Sequence, residues 1–505
     1  MSTSSARQLK ERSFYSNLFF SLGLNLIVKP VAIFAIDAAV QKEVGAEYGL
    51  YFAFFNLSLI LSIVFDLGIN NLSIKTAAQE MEQAKSRFTS ILYLRFLLML
   101  LFIFGLLGSA FFLKLTWDTY KLLLILGLNQ FLIANIAFFR SYFAGLHWFR
   151  LDALFSVLDR LLLIFSMGYL IYLYPDGNKM VHIDTYAFFQ FACYGLSFVV
   201  SGLTLLFVVK PPFKLPSIRS LLPVIRQAFP YALLIVLMTL YTRSDALLLL
   251  HYSRPYIGAQ EVSNYARAFR IIDALYMFAM VFAGLLFPMF AKMIAHKPAE
   301  IAPLLSKSSK LLLGSSIAFI MFTFVHGDLI MGLIYGPSVE YQVSSIDSLC
   351  FLSIAFFGMA SNLIYGSLLT ANGSLKALNT ISFIGVLINV SLNVIVLPQM
   401  HFAHAVGAAS SAAITQLIVA AAQAIYCKRL FQLPLFDTNT ILRYGLLLLG
   451  FFFWYLSHWF TPLGQLAANK LALLNAAFSL LLLLALKFID ISELRKMLQS
   501  RSDLK

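Results

Sequence analysis

The chain has 505 residues, 60% of them hydrophobic and 12% charged, with a formal net charge of +14. A soluble protein of this length would carry about 45–50% apolar and about 25% charged residues, so the composition excludes a water-soluble domain and indicates an all-α polytopic membrane protein. The basic excess is spread over short connections between apolar runs, and no Lys/Arg-rich arm carries interleaved aromatics. Membrane sidedness therefore explains the charge better than nucleic acid, which is not an expected partner.

The first fifteen residues are polar and hold Arg7, Lys10 and Arg12. The apolar run behind them is too long for a cleaved signal and reads as a first span. In chain order the predicted spans are about Ser16–Val40, with Lys29-Pro30 at its centre, Tyr48–Gly68, Phe88–Leu113, Lys121–Ala144, Leu151–Tyr174 and Thr185–Val209. Pro175-Asp176-Gly177 reads as a turn. Lys210-Pro211-Pro212-Phe213-Lys214-Leu215-Pro216 cannot continue a helix and marks a boundary between two halves. The second half has spans at about Phe229–Tyr252, Ser263–Met293, Leu311–Tyr335, Ile346–Thr370, Ala377–Leu397 and Val406–Tyr426. The last of these is rich in Gly, Ala and Ser, as close helix packing in membranes prefers. Spans at about Ile441–Phe460 and Leu466–Phe488 complete fourteen. The predicted organisation is a six-helix lobe over 1–209, a linker over 210–224, a second six-helix lobe over 225–430, two further helices over 431–488, and a basic tail over 489–505.

An even number of spans places both termini on one side. Loops and span edges on that side hold 26 Lys and Arg against 8 on the other, which predicts cytoplasmic termini. The tail, with Arg495, Lys496, Arg501 and Lys505, either lies on anionic lipid or is solvated. No loop is long enough to fold as a catalytic domain. A faint repeat relates Val44-Gly45-Ala46-Glu47, followed by Tyr51, to Ile257-Gly258-Ala259-Gln260, followed by Tyr265, at an offset of about 213 residues. It equates Lys29 roughly with Arg243. Two parallel repeats are a common transporter plan, with substrate at the repeat interface.

Charges at membrane depth are the informative residues, because each costs roughly 2.5–3.5 kcal/mol on insertion scales. Arg243 and Asp245 lie near the middle of their span and, two apart on a helix, point to different sides. Each needs a partner from another helix, water or cargo: either an interhelical ion pair or a role at an anionic substrate. Lys29 lies too deep to reach an interface easily, and Pro30 loosens the backbone beside it. Arg95 is predicted to snorkel to the headgroups. Arg140 and Arg150 read as topological signals. Arg267 and Arg270 share one face, Asp273 follows three residues later as a partner for Arg270, and Asp245 is placed to meet either arginine. Unpaired cations in a low-dielectric cavity attract phosphate or carboxylate, whereas a drug cation would prefer the reverse charge pattern. The acids Asp37, Asp66, Asp245 and Asp273 are the competing partners for these cations.

No Gly-x-x-x-x-Gly-Lys and no His-Glu-x-x-His occurs, so no nucleotide or cofactor site is expected. His401 and His404 lack nearby carboxylates or thiols and are not read as metal ligands. Cys193, Cys350 and Cys427 are far apart and read as packed thiols.

Several short motifs coincide with one family. They are Gly45-Ala46-Glu47-Tyr48-Gly49-Leu50-Tyr51 before the second span, Asp66-Leu67-Gly68 at its end, Tyr265-Ala266-Arg267-Ala268, Leu286-Phe287-Pro288, Asn372-Gly373, Asn389, Asn393 and Gly407. With the fourteen-span pattern, they make the chain resemble, over nearly its whole length, the polysaccharide biosynthesis flippases. These are the O-antigen and capsule lipid-linked oligosaccharide translocases of the multidrug/oligosaccharidyl-lipid/polysaccharide superfamily. The resemblance implies two six-helix lobes facing each other in a V, with two helices appended. It also implies movement of a polyprenyl-diphosphate-linked oligosaccharide from the cytoplasmic to the outer leaflet of a bacterial plasma membrane by alternating access.

Cationic cavity residues hold the diphosphate in that family, and the matching positions here are Lys29, Arg243, Arg267 and Arg270. Asp245, Asp273 and Asp66 are candidate coupling or ion-pairing acids. The implied partners are the lipid-linked oligosaccharide, membrane lipids, and polymerase and glycosyltransferases of the same pathway. The drive is an ion gradient, the membrane potential or product removal. The twelve-span multidrug exporters fit less well, and the fourteen-span lipid II flippases remain close. A membrane polymerase or ligase would be the enzymatic alternative, but such enzymes need a sizeable outer loop, and the stretches at 175–184 and 253–262 are short.

Overall fold

The computed structural model describes residue 20 and residues 23–488, apart from 66–68, 71–72, 75–76, 78–80, 114, 147, 175–180, 211–221, 254–256, 297, 337–341, 401–402, 433–437 and 461–467. All regular structure among the described residues is helical. Asp66, His401, most of the predicted linker and the whole predicted tail lie outside them.

The helices, in order, are α1 (Gly23–Val44), α2 (Glu47–Ser62), α3 (Met81–Phe112), α4 (Trp117–Gly145), α5 (Phe149–Leu173) and α6 (Ile183–Val209). Helix α7 comes in two pieces, α7a (Leu222–Arg243) and α7b (Asp245–Tyr252), and is followed by α8 (Gly258–His296) and α9 (Ile301–Tyr335). Last come α10 (Gln342–Ala371), α11 (Leu375–Gln399), α12 (His404–Phe431), α13 (Thr438–Phe460) and α14 (Ala468–Ala485). Among the described residues ten helices are long and apolar enough to cross a bilayer, and the bent α7 makes an eleventh. Helix α2, at 16 residues, and the apolar stretches Leu442–Ser457 and Lys470–Ala485 fall short of the roughly 17–25 residues of an ordinary span. Length and composition thus carry eleven of the fourteen predicted spans.

The described chain divides into two compact units, Met1–Arg270 with Asn393–Gln399, and Ile271–Leu392 with Met400–Lys505. The first unit has an aromatic core: Phe88 of α3 meets Phe138 and Tyr142 of α4 at ring separations of 5.7 and 5.4 Å, and Phe143 stacks on Phe155 of α5 at 5.4 Å. The opposite side of α3 shows why this core belongs in lipid. Phe96, Leu100, Phe104, Leu107 and Phe111 recur three or four residues apart and are all exposed, an apolar stripe that water would not tolerate but acyl chains accept.

Arg95 corrects the expectation that it snorkels. It is 2% exposed; its guanidinium donates to the Ala134 carbonyl at 3.0 Å and to Asn70 Oδ1 at 2.8 Å and sits 4.5 Å from the centre of the Phe138 ring. Helix α4 and the Asn70 side chain offer these polar and aromatic acceptors nearer than the headgroups, and a cation at depth takes them.

The two repeat-related stretches touch each other. Ser263 Oγ donates to the Gly45 carbonyl at 2.8 Å, and Gln41 Nε2 donates to the Ser263 carbonyl at 2.8 Å. Gly49 is needed there, because a methyl group on it would run into the Ala259 carbonyl.

In the second unit α10 packs along α12 through the predicted small residues: Ala405, Gly407, Ala408, Ser411, Ala412 and Thr415 are all buried. Asn362 Nδ2 donates to Gln416 Oε1 at 3.0 Å inside that contact. Helix α9 departs from helical geometry at His326 (φ −125, ψ 23), where the side chain meets Asn475 of α14 at 2.7 Å. Trp454 of α13 donates to Asn475 Oδ1 at 2.8 Å. The Asn475 nitrogen is therefore the donor toward His326, whose Nε2 must accept. This chain fastens α13 and α14 to α9, and Phe451, Leu483 and Phe488 fill the apolar space beside it.

A leucine at Gly358 would meet the Gln416 backbone, 2.7 Å from where a Cβ would stand. We expect Gly358→Leu to cost about 1–3 kcal/mol by overpacking, read as a lowered thermal unfolding midpoint of the purified protein. Gly332→Ala, with nothing near its Cβ, should leave the midpoint unchanged or raise it.

Candidate functional site

Pro30 has no N–H, and its ring crowds the carbonyl one turn back. The helix responds by widening into a π-helical turn over Ala32–Asp37, a device that often marks functional positions. The turn ends on Asp37, which is 6% exposed. Its carboxylate accepts from Tyr48 Oη at 2.6 Å and Tyr186 Oη at 2.9 Å and pairs with Arg270 Nε at 2.8 Å. Arg270 Nε also donates to Tyr48 Oη at 2.9 Å. Helices α1, α2, α6 and α8 thus converge on one carboxylate.

Aromatic rings complete the surroundings of this pair. Tyr48, Phe52 and Phe55, about one turn apart on α2, bring their ring centres to 6.0, 5.1 and 5.3 Å from the Arg270 guanidinium. Tyr51 exchanges hydrogen bonds with Gln190 of α6 at 2.9–3.1 Å. A buried ion pair holds only when its remaining donors and acceptors are met, and here they are met by hydroxyls and π faces.

Helix α7 supplies the second charged group. It breaks at Ser244 with a bend of 43°, so Arg243 ends one helix and Asp245 begins the next. The break, more than helical periodicity, sends the two side chains apart. Asp245, 1% exposed, accepts from Tyr265 Oη at 3.2 Å and from Asn393 Nδ2 at 2.9 Å. Its place in the first turn of α7b also suits a negative charge. Arg243 lies 4.9 Å from the Phe269 ring centre. Phe52, Asn56, Thr242, Arg243, Asp245, Tyr265 and Phe269 line a narrow pocket. Phe269 faces Phe52 at 5.9 Å, and Phe52 in turn lies under Arg270, so the Arg243 and Arg270 sites share one aromatic wall.

Of the predicted residues, Arg243, Arg270 and Asp245 are brought together on α7 and α8 of the first unit. Arg267 is buried on α8 in that unit. Asp273 is buried further along α8, in the second unit. Lys29 lies apart, partly buried on α1, within reach of the charges of Arg140, Arg160, Asp159 and Asp152. Arg140 is tied to Asp152 at 2.8 Å, so it is more than a topological mark. The hub residues Tyr48 and Tyr186 were not legible as functional, although Tyr48 stands inside the quoted Gly45–Tyr51 motif and Asp37 was named as a competing acid.

Residues 18–294 match the family model described as polysaccharide biosynthesis protein. The chain belongs to that family. Its fold is shared with solved transporters of the multidrug/oligosaccharidyl-lipid/polysaccharide superfamily, all at low sequence identity. A lipid II flippase, MurJ, in an inward closed conformation superposes with a TM-score of 0.65 at 17% identity, over 95% of this chain and 99% of that one. An inward-facing multidrug resistance MATE family transporter gives 0.62 at 14% identity, over 82% and 98%. A superfamily transporter from Pyrococcus furiosus, noted for reverse polarity of its binding pocket, gives 0.58 at 15%, over 83% and 95%. No curated protein matches the sequence. The family member described here is thus a polytopic membrane protein with a flippase-type transporter fold.

Removing Asp37 leaves Arg270 buried without its carboxylate. Asp37→Ala should destabilise the protein by about 3–5 kcal/mol, against about 1–3 kcal/mol for Tyr186→Phe, which loses one hydrogen bond to a charged group. The double variant Asp37→Asn/Arg270→Gln should recover part of the loss. Thermal unfolding of the three variants in one detergent checks the order.

Proposed function

We propose that this protein is a flippase that moves a polyprenyl-diphosphate-linked oligosaccharide from the cytoplasmic to the outer leaflet of a bacterial plasma membrane. The observation that carries the reading is the sign of the charge at depth. Arg270 and Arg140 have carboxylates, but Lys29 makes no salt bridge or hydrogen bond among the described residues. A cation at membrane depth that no carboxylate ties down by direct contact suits an anionic cargo. In this reading the chain works as two six-helix halves with two helices appended and both termini in the cytoplasm. Lys29, Arg243 and Arg267 face the diphosphate, Arg270 with Asp37 holds one conformation, and Asp245 and Asp273 are the acids left for coupling.

A lipid II exporter is the second reading, favoured by the extent of the match. The lipid II flippase fold covers 95% of this chain, against 82% for the multidrug transporter, a difference of the size of α13 and α14 with their connections. Both lipid readings share the polyprenyl diphosphate and differ in the sugar. A polymerase or ligase would instead need catalytic groups on an outer loop.

In proteoliposomes, a fluorescent polyprenyl-diphosphate oligosaccharide should become accessible on the far leaflet chemically unchanged. Lys29→Ala and Arg243→Ala should abolish that movement at normal expression. New glycosidic bonds in the product would reject the flippase reading in favour of an enzyme. For orientation, a single cysteine at Ser217 should resist a membrane-impermeant maleimide added to whole cells, and one at Asn178 should react; the reverse pattern would invert the topology.

A further inference from the structure

The bend in α9 sits between two kinds of contact within the second unit. Toward α10, Thr323 Oγ1 donates to Ser353 Oγ at 3.0 Å, and Cys350 Sγ reaches the Thr323 carbonyl at 3.7 Å. Gly327, next to His326, lets α10 come close, since a methyl group on it would stand 3.0 Å from Ile346 Cγ2. Burial raises the Cys350 thiol further above neutrality, and hydroxyls do not titrate there, so this contact is the same at pH 5 and pH 8.

Toward α13 and α14 the contact runs through an imidazole. His326 is 4% exposed and Asn475 is fully buried. The His326 ring lies 4.9 Å from that of Phe322, and its Nε2 lies 2.7 Å from Asn475 Nδ2. The far end of the chain fixes the order of donors. The Trp454 indole N–H only donates, so Asn475 turns Oδ1 to it, at 2.8 Å. The amide nitrogen, also only a donor, then faces His326 Nε2, which must offer a lone pair. The chain therefore closes on a neutral ring that carries its proton on Nδ1. A second proton, on Nε2, would set N–H against N–H. Turning the amide over would satisfy the ring but set the amide nitrogen against the Trp454 N–H. Either way one bond is lost, and a donor is left buried without an acceptor.

The ionisable groups on the surrounding elements are Asp328 of α9, Asp347 and Cys350 of α10, Tyr455 and His458 of α13, and Lys470 of α14. Asp328 and Asp347 are both exposed, so these four helices hold no buried carboxylate for a protonated ring to turn to.

We propose that His326 is a proton-operated latch. In its neutral form it fastens α13 and α14 to α9 through Asn475 and Trp454; uptake of a proton at Nε2 releases the pair while α9 stays on α10. The latch concerns the attachment of the two appended helices and stands whatever the cargo is.

The test is a distance measurement on the full-length protein in nanodiscs, with Cys193, Cys350 and Cys427 replaced by alanine and spin labels at Leu333→Cys on α9 and Leu473→Cys on α14, both exposed positions. Measurements at pH 8 and pH 5 bracket the ordinary imidazole value of about 6.5. The otherwise wild-type protein should show one separation at pH 8 and gain a second, longer one at pH 5. A pair at Leu333→Cys and Val343→Cys, the latter exposed on α10, should not change. His326→Gln, whose amide oxygen accepts from Asn475 at every pH, should keep the single separation. Trp454→Phe removes the donor that orders Asn475, so the amide can turn its oxygen to a protonated ring and the response should shrink. His458→Gln should respond as the parent does. Thermal unfolding at pH 8 checks that each variant is folded, and if His326→Gln is not, Trp454→Phe decides. A parent protein without a pH response overturns the latch, as does an unchanged response in His326→Gln or Trp454→Phe. Loss of the response in His458→Gln moves the titration to another residue, and an equal response in the α9–α10 pair reports general loosening; both overturn the latch.

Discussion

The ion pair between Asp37 and Arg270 governs the first unit. Neither charge could stay at membrane depth alone, since each would cost several kcal/mol. Together, with Tyr48 and Tyr186 on the carboxylate and three α2 rings around the guanidinium, they form a closed set. That set draws α1, α2, α6 and α8 to one point. It also explains why those helices carry tyrosine where leucine would insert more easily: a phenol keeps an apolar body and offers one hydroxyl to a buried charge.

Irregular backbone occurs beside charges. Lys29-Pro30 precedes the π turn that delivers Asp37, and Arg243 precedes the break at Ser244 that starts a helix on Asp245. The interruption at Ser156–Val157 places Arg160 at another helix start. Each irregularity loosens the helix ladder where a charged side chain must be aimed. Irregular backbone in lipid persists only where protein or a polar cavity receives it, so these three positions mark the polar interior of the unit.

The second unit is held by a different means. Between α10 and α12 the contact surface is made of Gly, Ala and Ser, and dispersion at short range takes the place of charge. The apolar stretches of the appended α13 and α14 are short, and their attachment relies on the His326–Asn475–Trp454 chain and the apolar cluster around Phe451. A kink at His326 turns the ring toward Asn475, so the same residue that distorts α9 secures its neighbours.

Composition and hydropathy alone determined the fold class, because twenty-residue apolar runs have few other solutions. The short motifs around Gly45–Tyr51 and Tyr265–Ala268 determined the family. The small-residue face of the twelfth segment was equally plain from the sequence. What the sequence left open was which charge meets which. Asp37, Tyr186 and Arg270 are separated by 84 to 233 positions, and no local periodicity links them. Arg95 illustrates the same limit: its distance from the helix end allowed snorkelling, and only the packed α4 carbonyl and ring made inward burial better. Local pattern sets what each segment is; pairing at depth depends on three-dimensional proximity, because a low-dielectric interior rewards only the partner that is within a few ångströms.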